Sequence, residues 1–367
     1  MSTLEGDPIS LFWVDSEELN EPVKTAQEQF ARFPGSRYMG SKNRIIDSLW
    51  KYLAPLPFTS VLDAFAGSNV VSYFLKCQGK QVTTNDFLAF SYVTSKAIIE
   101  NSSETLDNDD IEFLLSDNDN DRFVQNTFNG IFFNEEDNSF IDRVRKNISF
   151  LDSEYTRAIS YSALVRACVK KRSRGIFTFV GERYEDGRKD MRGSLKEHFL
   201  ESIALFNDAV FDNGRPNLAL NERVEELSSK PKFDLVYLDP PYFSPKSDND
   251  YVRRYHFLEG LVRNWEDVEM QPHTAVRKFK SFPTPFSKKD SAYAAFDLLF
   301  NKFASSVLVV SYSSNSIPSK DELFQMLRNY KIDVACYEVD LTYSFGNQGT
   351  KVGNSNNRVK EYIFIGT

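Results

Sequence analysis

The sequence predicts an α/β protein, a doubly wound parallel sheet interrupted by a mostly helical insertion. Strand-like apolar runs alternate with helical stripes between residues 60 and 102, and further strand-like runs return from residue 232 onward. Strand, helix, strand, helix at this spacing is the mark of parallel crossover units. Between the two stretches, residues 101–205 read as helical and polar. A chain of 367 residues is long enough for one large domain carrying such an insertion.

In order along the chain, residues 1–36 read as an acidic, weakly structured arm ending at Pro34-Gly35. Residues 37–100 and 206–367 are expected to build the sheet domain around the 101–205 insertion. Within residues 42–53, Ile45, Ile46, Leu49, Trp50 and Leu53 fall on one helical stripe, which Pro55 and Pro57 then stop. SVLDAF (60–65) is a short apolar strand, and a turn leads from it into the helical pattern NVVSYFLKCQG. Gly79 suits that helix's C-terminus, where a left-handed residue is favoured. QVTTNDF (81–87) alternates as a second strand, and SYVTSKAIIENS continues as a helix. Later strands are expected at 232–238, 305–312, 332–339 and 361–366.

Composition excludes several functions. No apolar run approaches the roughly 20 residues that span a bilayer, and the acidic start lacks the basic, apolar pattern of a secretory leader. A cytoplasmic location without membrane contact is therefore expected. Cys77, Cys168 and Cys336 are far apart and form no C-x-x-C pair, and the chain has three histidines. Neither a disulfide framework nor a metal site is expected.

The net charge is −8, but it is unevenly spread. Residues 101–121 hold eight acids and no Lys or Arg, whereas residues 143–196 hold fourteen Lys/Arg against six Asp/Glu, a balance of 14 − 6 = +8. A basic stretch inside an acidic chain is what a phosphate-binding face looks like. On charge alone, an ordinary solvated helical face fits equally well.

Three motifs carry chemistry. In VLDAFAGSN (61–69), Asp63 ends a strand and Gly67 lets backbone approach a ligand closely. The turn has one glycine, so the phosphate cradle G-x-G-x-x-G is absent, which points to a cofactor without pyrophosphate. Asn85-Asp86 ends the next strand, where an acid is placed to accept from both hydroxyls of a ribose, although Asp also serves as a helix N-cap. FDLVYLDPPYF (233–243) is a buried strand stopped at Asp239 by two prolines. Pro240 and Pro241 stiffen the loop and remove two amide donors, leaving acceptors outward, and Tyr242 offers a flat face. The Asp239 carboxylate and Pro240 carbonyl suit the two N–H groups of an exocyclic base amine. Such an amine is a poor nucleophile, and orienting its lone pair for an in-line displacement is the catalysis it needs. Tyr242 is then placed to stack on a base swung out of its duplex.

In these motifs the chain resembles the adenine-specific DNA methyltransferases of the Dam-like alpha class, over most of residues 37–100 and 215–367. RYMGSKNRII (37–46), then Asp63, Phe65, Gly67 and Ser68, then Asn85-Asp86, then Asp239 to Tyr242 follow the family's order. Ser41 stands where the family pattern has a second glycine. The resemblance implies a Rossmann-like methyltransferase fold, S-adenosylmethionine as cofactor, double-stranded DNA as partner, and a target-recognition domain in the insertion. It implies cofactor contacts at Tyr38, Lys42, Asp63, Phe65, Ala66, Gly67, Ser68, Asp86, Phe87 and Asp239. It makes Asp239, Pro240, Pro241 and Tyr242 catalytic, and places Asn221 near the adenosyl ring.

FNGIFF (128–133) and RSRGIF (172–177) are the insertion's segments most like the family's recognition domains. Its cations Lys170, Lys171, Arg172, Arg174, Arg188 and Arg192, with Arg253 and Arg254 after the catalytic loop, are the expected DNA contacts. The expected activity is transfer of methyl to the N6 amine of an adenine in a specific duplex sequence, in a restriction-modification or DNA-marking role, with a cognate endonuclease as a possible partner. Alternatives are amine methylation of cytosine or RNA, or a catalytically silent DNA-binding subunit. Asp at 239 favours adenine over cytosine enzymes, which resemble Ser-Pro-Pro loops, and over glutamine enzymes with Asn-Pro-Pro-Tyr.

Overall fold

The computed structural model describes residues 25–117, 121–181, 189–242, 250–282, 284–342 and 358–367. Seven strands form one sheet: β1 (Ser60–Asp63), β2 (Gln81–Asn85), β3 (Leu218–Leu220), β4 (Leu235–Leu238), β5 (Val307–Ser313), β6 (Val334–Thr342) and β7 (Arg358–Gly366). Their order is β3-β2-β1-β4-β5-β7-β6. Strands β1 to β5 are parallel, as the sequence predicts. The wholly parallel expectation is corrected at the far edge, because β7 runs antiparallel to both β5 and β6. A parallel return needs a crossover, usually a helix, and no helix lies between β6 and β7 among the described residues.

The central strands are buried on both faces, which is why they read as nearly continuous apolar runs. Val61, Leu235, Tyr237, Val309, Ile363 and Ile365 face one core. Leu62, Val236, Leu238, Leu308, Val310 and Phe364 face the other, against α11 (Lys289–Lys302) and α12 (Lys320–Arg328). On the first face lie α2 (Ile46–Leu53), α3 (Val70–Cys77) and α4 (Ala89–Ser95). α2 buries Ile46, Leu49 and Leu53, the expected stripe. Gly79 takes the left-handed conformation (φ +72°) just past α3.

Of the arm expected to be weakly structured, residues 1–24 lie outside the described residues, and residues 25–36 hold one ordered element. A short helix α1 (Ala26–Phe30) starts at a capping box, Thr25 and Glu28 bonding each other's backbone amides. It docks on α3 through Gln29 Nε2, which donates to Tyr73 Oη at 2.9 Å, and through Phe30 edge-on to Phe74 at 5.1 Å.

The insertion folds as α5 (Asn108–Leu115), α6 (Phe123–Thr127), α7 (Glu135–Ile148), α8 (Glu154–Lys171) and α9 (Leu195–Ala209). These helices share the first core rather than forming one of their own: Phe128, Ile141, Leu164 and Phe199 belong to the same cluster as Val61 and Tyr237. α9 runs across the boundary expected at 205/206. The acidic and basic stretches also meet each other. Arg143 pairs with Asp117 at 2.7 Å, and Arg145 pairs with Asp121 and, at 3.2 Å, with Asp142. Charge segregated along the sequence is thus partly neutralised in space.

Candidate active site

Strand order reverses between β1 and β4, which lie side by side with Asp63 opposite Tyr237. In open α/β sheets a ligand crevice forms at such a switch point, beyond the carboxyl ends of the strands. Asp63 ends β1, Asp86 follows β2, and Asp239 follows β4, so all three acids emerge at one rim. The turn after β1 is pinned by the Ala64 amide on Tyr237 O (3.1 Å) and the Ala66 amide on Asn85 O (2.9 Å). Gly67 sits at φ +50°, and a Cβ there would come within 3.1 Å of the Tyr38 ring. Its position is therefore required twice, by the turn and by the neighbouring ring. The Gly67 amide donates to Asp86 Oδ2 (2.8 Å) and the Leu88 amide to Oδ1 (2.9 Å). Each carboxylate oxygen keeps a second lone pair for a ligand hydroxyl.

The segment before α2 closes the other side. Tyr38 stacks on Tyr255 (5.4 Å) and Tyr251 (5.8 Å) of α10 (Tyr251–Val262). Met39 is held at both ends: its amide donates to Tyr255 Oη (2.9 Å) and its carbonyl accepts from Tyr251 Oη (3.2 Å). Ser41 and Ser68 meet at 3.1 Å through their hydroxyls, which ties the serine variant of this motif to the turn after β1. Lys42 is buried, and its ammonium contacts Asp239 Oδ1 at 2.8 Å, Glu361 Oε1 at 3.2 Å and the Gly40 carbonyl at 3.3 Å.

Burial dominates the electrostatics. It pushes the Asp63 carboxyl up to about 7, against the Ser72 hydroxyl that bonds Oδ2 at 2.5 Å. Asp63 Oδ1 is buried and makes no well-formed hydrogen bond. Burial likewise raises Asp86 to about 6 and Asp239 to about 6, the latter despite Lys42. Each of these carboxyls, and Glu259, which burial pushes up to about 7, holds its proton more tightly in the folded chain. His256 and Lys76, both lowered by burial, act the other way but are outweighed, so stability falls as pH rises through neutrality. Lowering pH from about 7.5 to about 6 is expected to raise the melting temperature by about 2 °C by calorimetry. Below about pH 4 the trend reverses, because the unfolded chain then takes up protons that the folded chain refuses at Asp234, held low by the Ser60 amide, and at Glu338, held low by Lys320. A melting temperature that falls between pH 7.5 and 6 would contradict this account.

These residues surround one cleft of about 650 Å³, counting its open mouth, within the usual range for a small-molecule site. The structure gathers all ten expected cofactor contacts on its wall: Tyr38, Lys42, Asp63, Phe65, Ala66, Gly67, Ser68, Asp86, Phe87 and Asp239. Pro240, Pro241 and Tyr242 line the same cleft. Asn221 does not line it; its amide instead donates to the Asp86 carbonyl at 2.7 Å. Tyr251, Tyr237 and Leu88 also line the wall and were not singled out from the sequence. Glu361 was missed too, since it stands amid the apolar run of β7 with no motif around it. Carboxylates outnumber the one lysine on the wall, an arrangement suited to a cationic ligand rich in hydroxyl and ammonium donors.

The expected DNA contacts divide. Arg172 is corrected: it is buried, donates to the carbonyls of Ile176 (3.2 Å), Gly181 (2.8 Å) and Phe179, and lies over the Phe179 ring at 4.3 Å. It braces the RSRGIF loop. Lys170 is held by Glu201 at 2.6 Å, and Lys171 by the Gly193 carbonyl at 2.6 Å. Arg192 and Arg253 are exposed, Arg174 and Arg254 partly so, and Arg188 lies outside the described residues. The RSRGIF loop abuts α10, the Phe177 amide donating to Arg254 O at 2.9 Å. Among the described residues no group of His, Cys, Asp and Glu could hold a metal, and no helix is long and apolar enough to cross a membrane.

Comparison with known proteins gives this arrangement a family. The profile of the D12 class N6 adenine-specific DNA methyltransferases matches residues 38–326, which takes in all the motifs above. The chain is 28% identical over 334 residues to the type II methyltransferase M2.HphI of Haemophilus parahaemolyticus, covering 87% of this chain and 95% of that one. It is 27% identical to the modification methylase StsI of Streptococcus sanguinis over 320 residues, covering 81% of this chain and 47% of StsI. It is 26% identical to the type II methyltransferase M.FokI of Planomicrobium okeanokoites, covering 80% and 47%. The chain thus spans nearly all of the first relative and about half of the other two. With the Asp-Pro-Pro-Tyr loop and the cleft at the switch point inside the matched region, the chain belongs to the D12 class of N6 adenine-specific DNA methyltransferases.

Proposed function

We propose that the cleft binds S-adenosylmethionine and that Asp239 and Pro240 present the N6 amine of a flipped-out adenine to it. The observation that carries this reading is the placement of Asp239. Lys42 takes Oδ1 at 2.8 Å, so Oδ2 is the oxygen to receive an amine N–H. When bound, the cofactor supplies an electrophilic methyl on a sulfonium centre. The Asp239 carboxylate and the Pro240 carbonyl then orient the nitrogen lone pair by accepting its two N–H groups. Tyr242, edge-on to Tyr312 at 5.8 Å, is held to stack on the extruded base. Asp86 accepts from the ribose, and the buried acids offset the positive charge of the cofactor.

The DNA would lie across α10 and the RSRGIF loop, with Arg174, Arg192, Arg253 and Arg254 on phosphates or bases. Residues 101–205 are the segment we assign to target recognition. The relatives' names, modification methylase and type II methyltransferase, support a restriction-modification role with a cognate endonuclease. A DNA substrate supports the cytoplasmic location expected from the sequence. In the test, purified protein is given methyl-labelled S-adenosylmethionine and duplex DNA, and the label is expected as N6-methyladenine at one short sequence. Label found only in RNA, protein or cytosine overturns the reading.

A further inference from the structure

We propose that Glu361 is a positioning residue for methyl transfer: it shares the Lys42 ammonium with Asp239 and so keeps net negative charge on the carboxylate that meets the substrate amine. This rests on the reading of the cleft given above. Glu361 is fully buried on β7, paired with Ser313 across β5, on the face that otherwise carries Ile363 and Ile365. Burying a carboxylate is costly, and an apolar residue would serve the sheet better at this position.

Its hydrogen bonds do not suit a purely structural role. Ser311 Oγ at 2.8 Å and Lys42 Nζ at 3.2 Å converge on Oε1, while Oε2 is buried with no hydrogen-bond partner among the described residues. A pair selected for stability alone would satisfy both oxygens. The electrostatic sum supplies the functional reason. Lys42 and Asp239 alone make a neutral pair, whose carboxylate is a weak acceptor toward a nitrogen. With Glu361 the trio carries −1. As the N–C bond formed and the sulfonium C–S bond broke, its electron pair leaving on the neutral thioether, the amine nitrogen would become positive before losing a proton to water, and a preorganised negative group beside it stabilises that charge. Asp239 is also faced by Asp63, Tyr237 and Tyr251, none of which supplies a second cation.

The test is Glu361→Gln in the full chain, which keeps the shape and the Ser311 bond but removes the charge. Single-turnover methylation of duplex DNA at saturating cofactor is expected to slow about thirtyfold, with affinity for S-adenosylmethionine within about threefold by calorimetry. The acidic limb of the rate–pH profile should move to lower pH, because the Glu361 charge raises the proton affinity of Asp239, the same effect that makes its ionised carboxylate the stronger acceptor. Ser311→Ala should move that limb the other way, since Glu361 then draws Lys42 from Asp239, and this variant keeps the proposal open to refutation if Glu361→Gln does not fold. An unchanged rate, limbs that stay in place, or a rate loss matched by lost cofactor affinity overturns the proposal. If the wild-type protein itself gives no N6-methyladenine, the reading of the cleft fails instead.

Discussion

Asp239→Ala is expected to lower methyl transfer by at least about a thousandfold, while S-adenosylmethionine binds within about tenfold of wild type. The separation follows from where the side chain points. Asp239 gives one oxygen to Lys42 and, in the proposed function, the other to the acceptor amine, whereas the proposed cofactor site also has Asp63, Asp86 and the Gly67 turn. Losing Asp239 leaves the base amine with the Pro240 carbonyl alone, so its lone pair is no longer oriented. The fold should tolerate the change, because Lys42 retains Glu361 as a counter-ion. Calorimetry for binding and labelled transfer for rate check this together. Equal loss of both would mean that Asp239 chiefly holds the cofactor. Asp239→Asn, which keeps an acceptor at one position, should fall between alanine and wild type.

The parts of this site that could be read from sequence share a physical origin. β1, β2 and β4 are short and buried, and each ends at an acid or one residue before one, where a turn begins. Local pattern alone therefore places Asp63, Asp86 and Asp239 at strand ends. The tetrad from Asp239 to Tyr242 is legible because two adjacent prolines after a buried strand are costly without a purpose. Glu361 was illegible for the opposite reason. Its partners Lys42 and Asp239 are distant in sequence, and β7 reaches them only because it inserts antiparallel between β5 and β6. Arg172 misled in the same way. Its charge reads as a phosphate contact, but three backbone carbonyls and the Phe179 ring absorb it. Composition counts charges and is blind to such pairings, as Arg145 and Asp121 also show. The helix at Ala26–Phe30 is only five residues long, too short for a periodic stripe, and its one local signal is the Thr25–Glu28 capping box.

Lys42→Met should have the second large effect, and on two properties at once. Removing the ammonium leaves Asp239 and Glu361 buried without their shared cation. Breaking a buried ion pair from one side costs about 3 kcal/mol, read as a lower denaturation midpoint at pH 7.5. The sign of its pH dependence follows directly. Without Lys42 the folded Asp239 binds its proton more tightly still, so the deficit should shrink as pH falls toward about 5.5. Transfer should fall by about a thousandfold, because a protonated Asp239 can no longer accept from the amine at that oxygen. The two effects come apart in the double variant Lys42→Met, Glu361→Gln. Removing the second charge relieves repulsion at Asp239, so stability is expected to recover by about half. The rate is not expected to recover, because the net charge meeting the amine still lacks the arrangement that Lys42 fixed. If the two substitutions prove additive in stability, Lys42 and Glu361 do not act on each other. Lys42 would then be a lysine that happens to lie between two carboxylates.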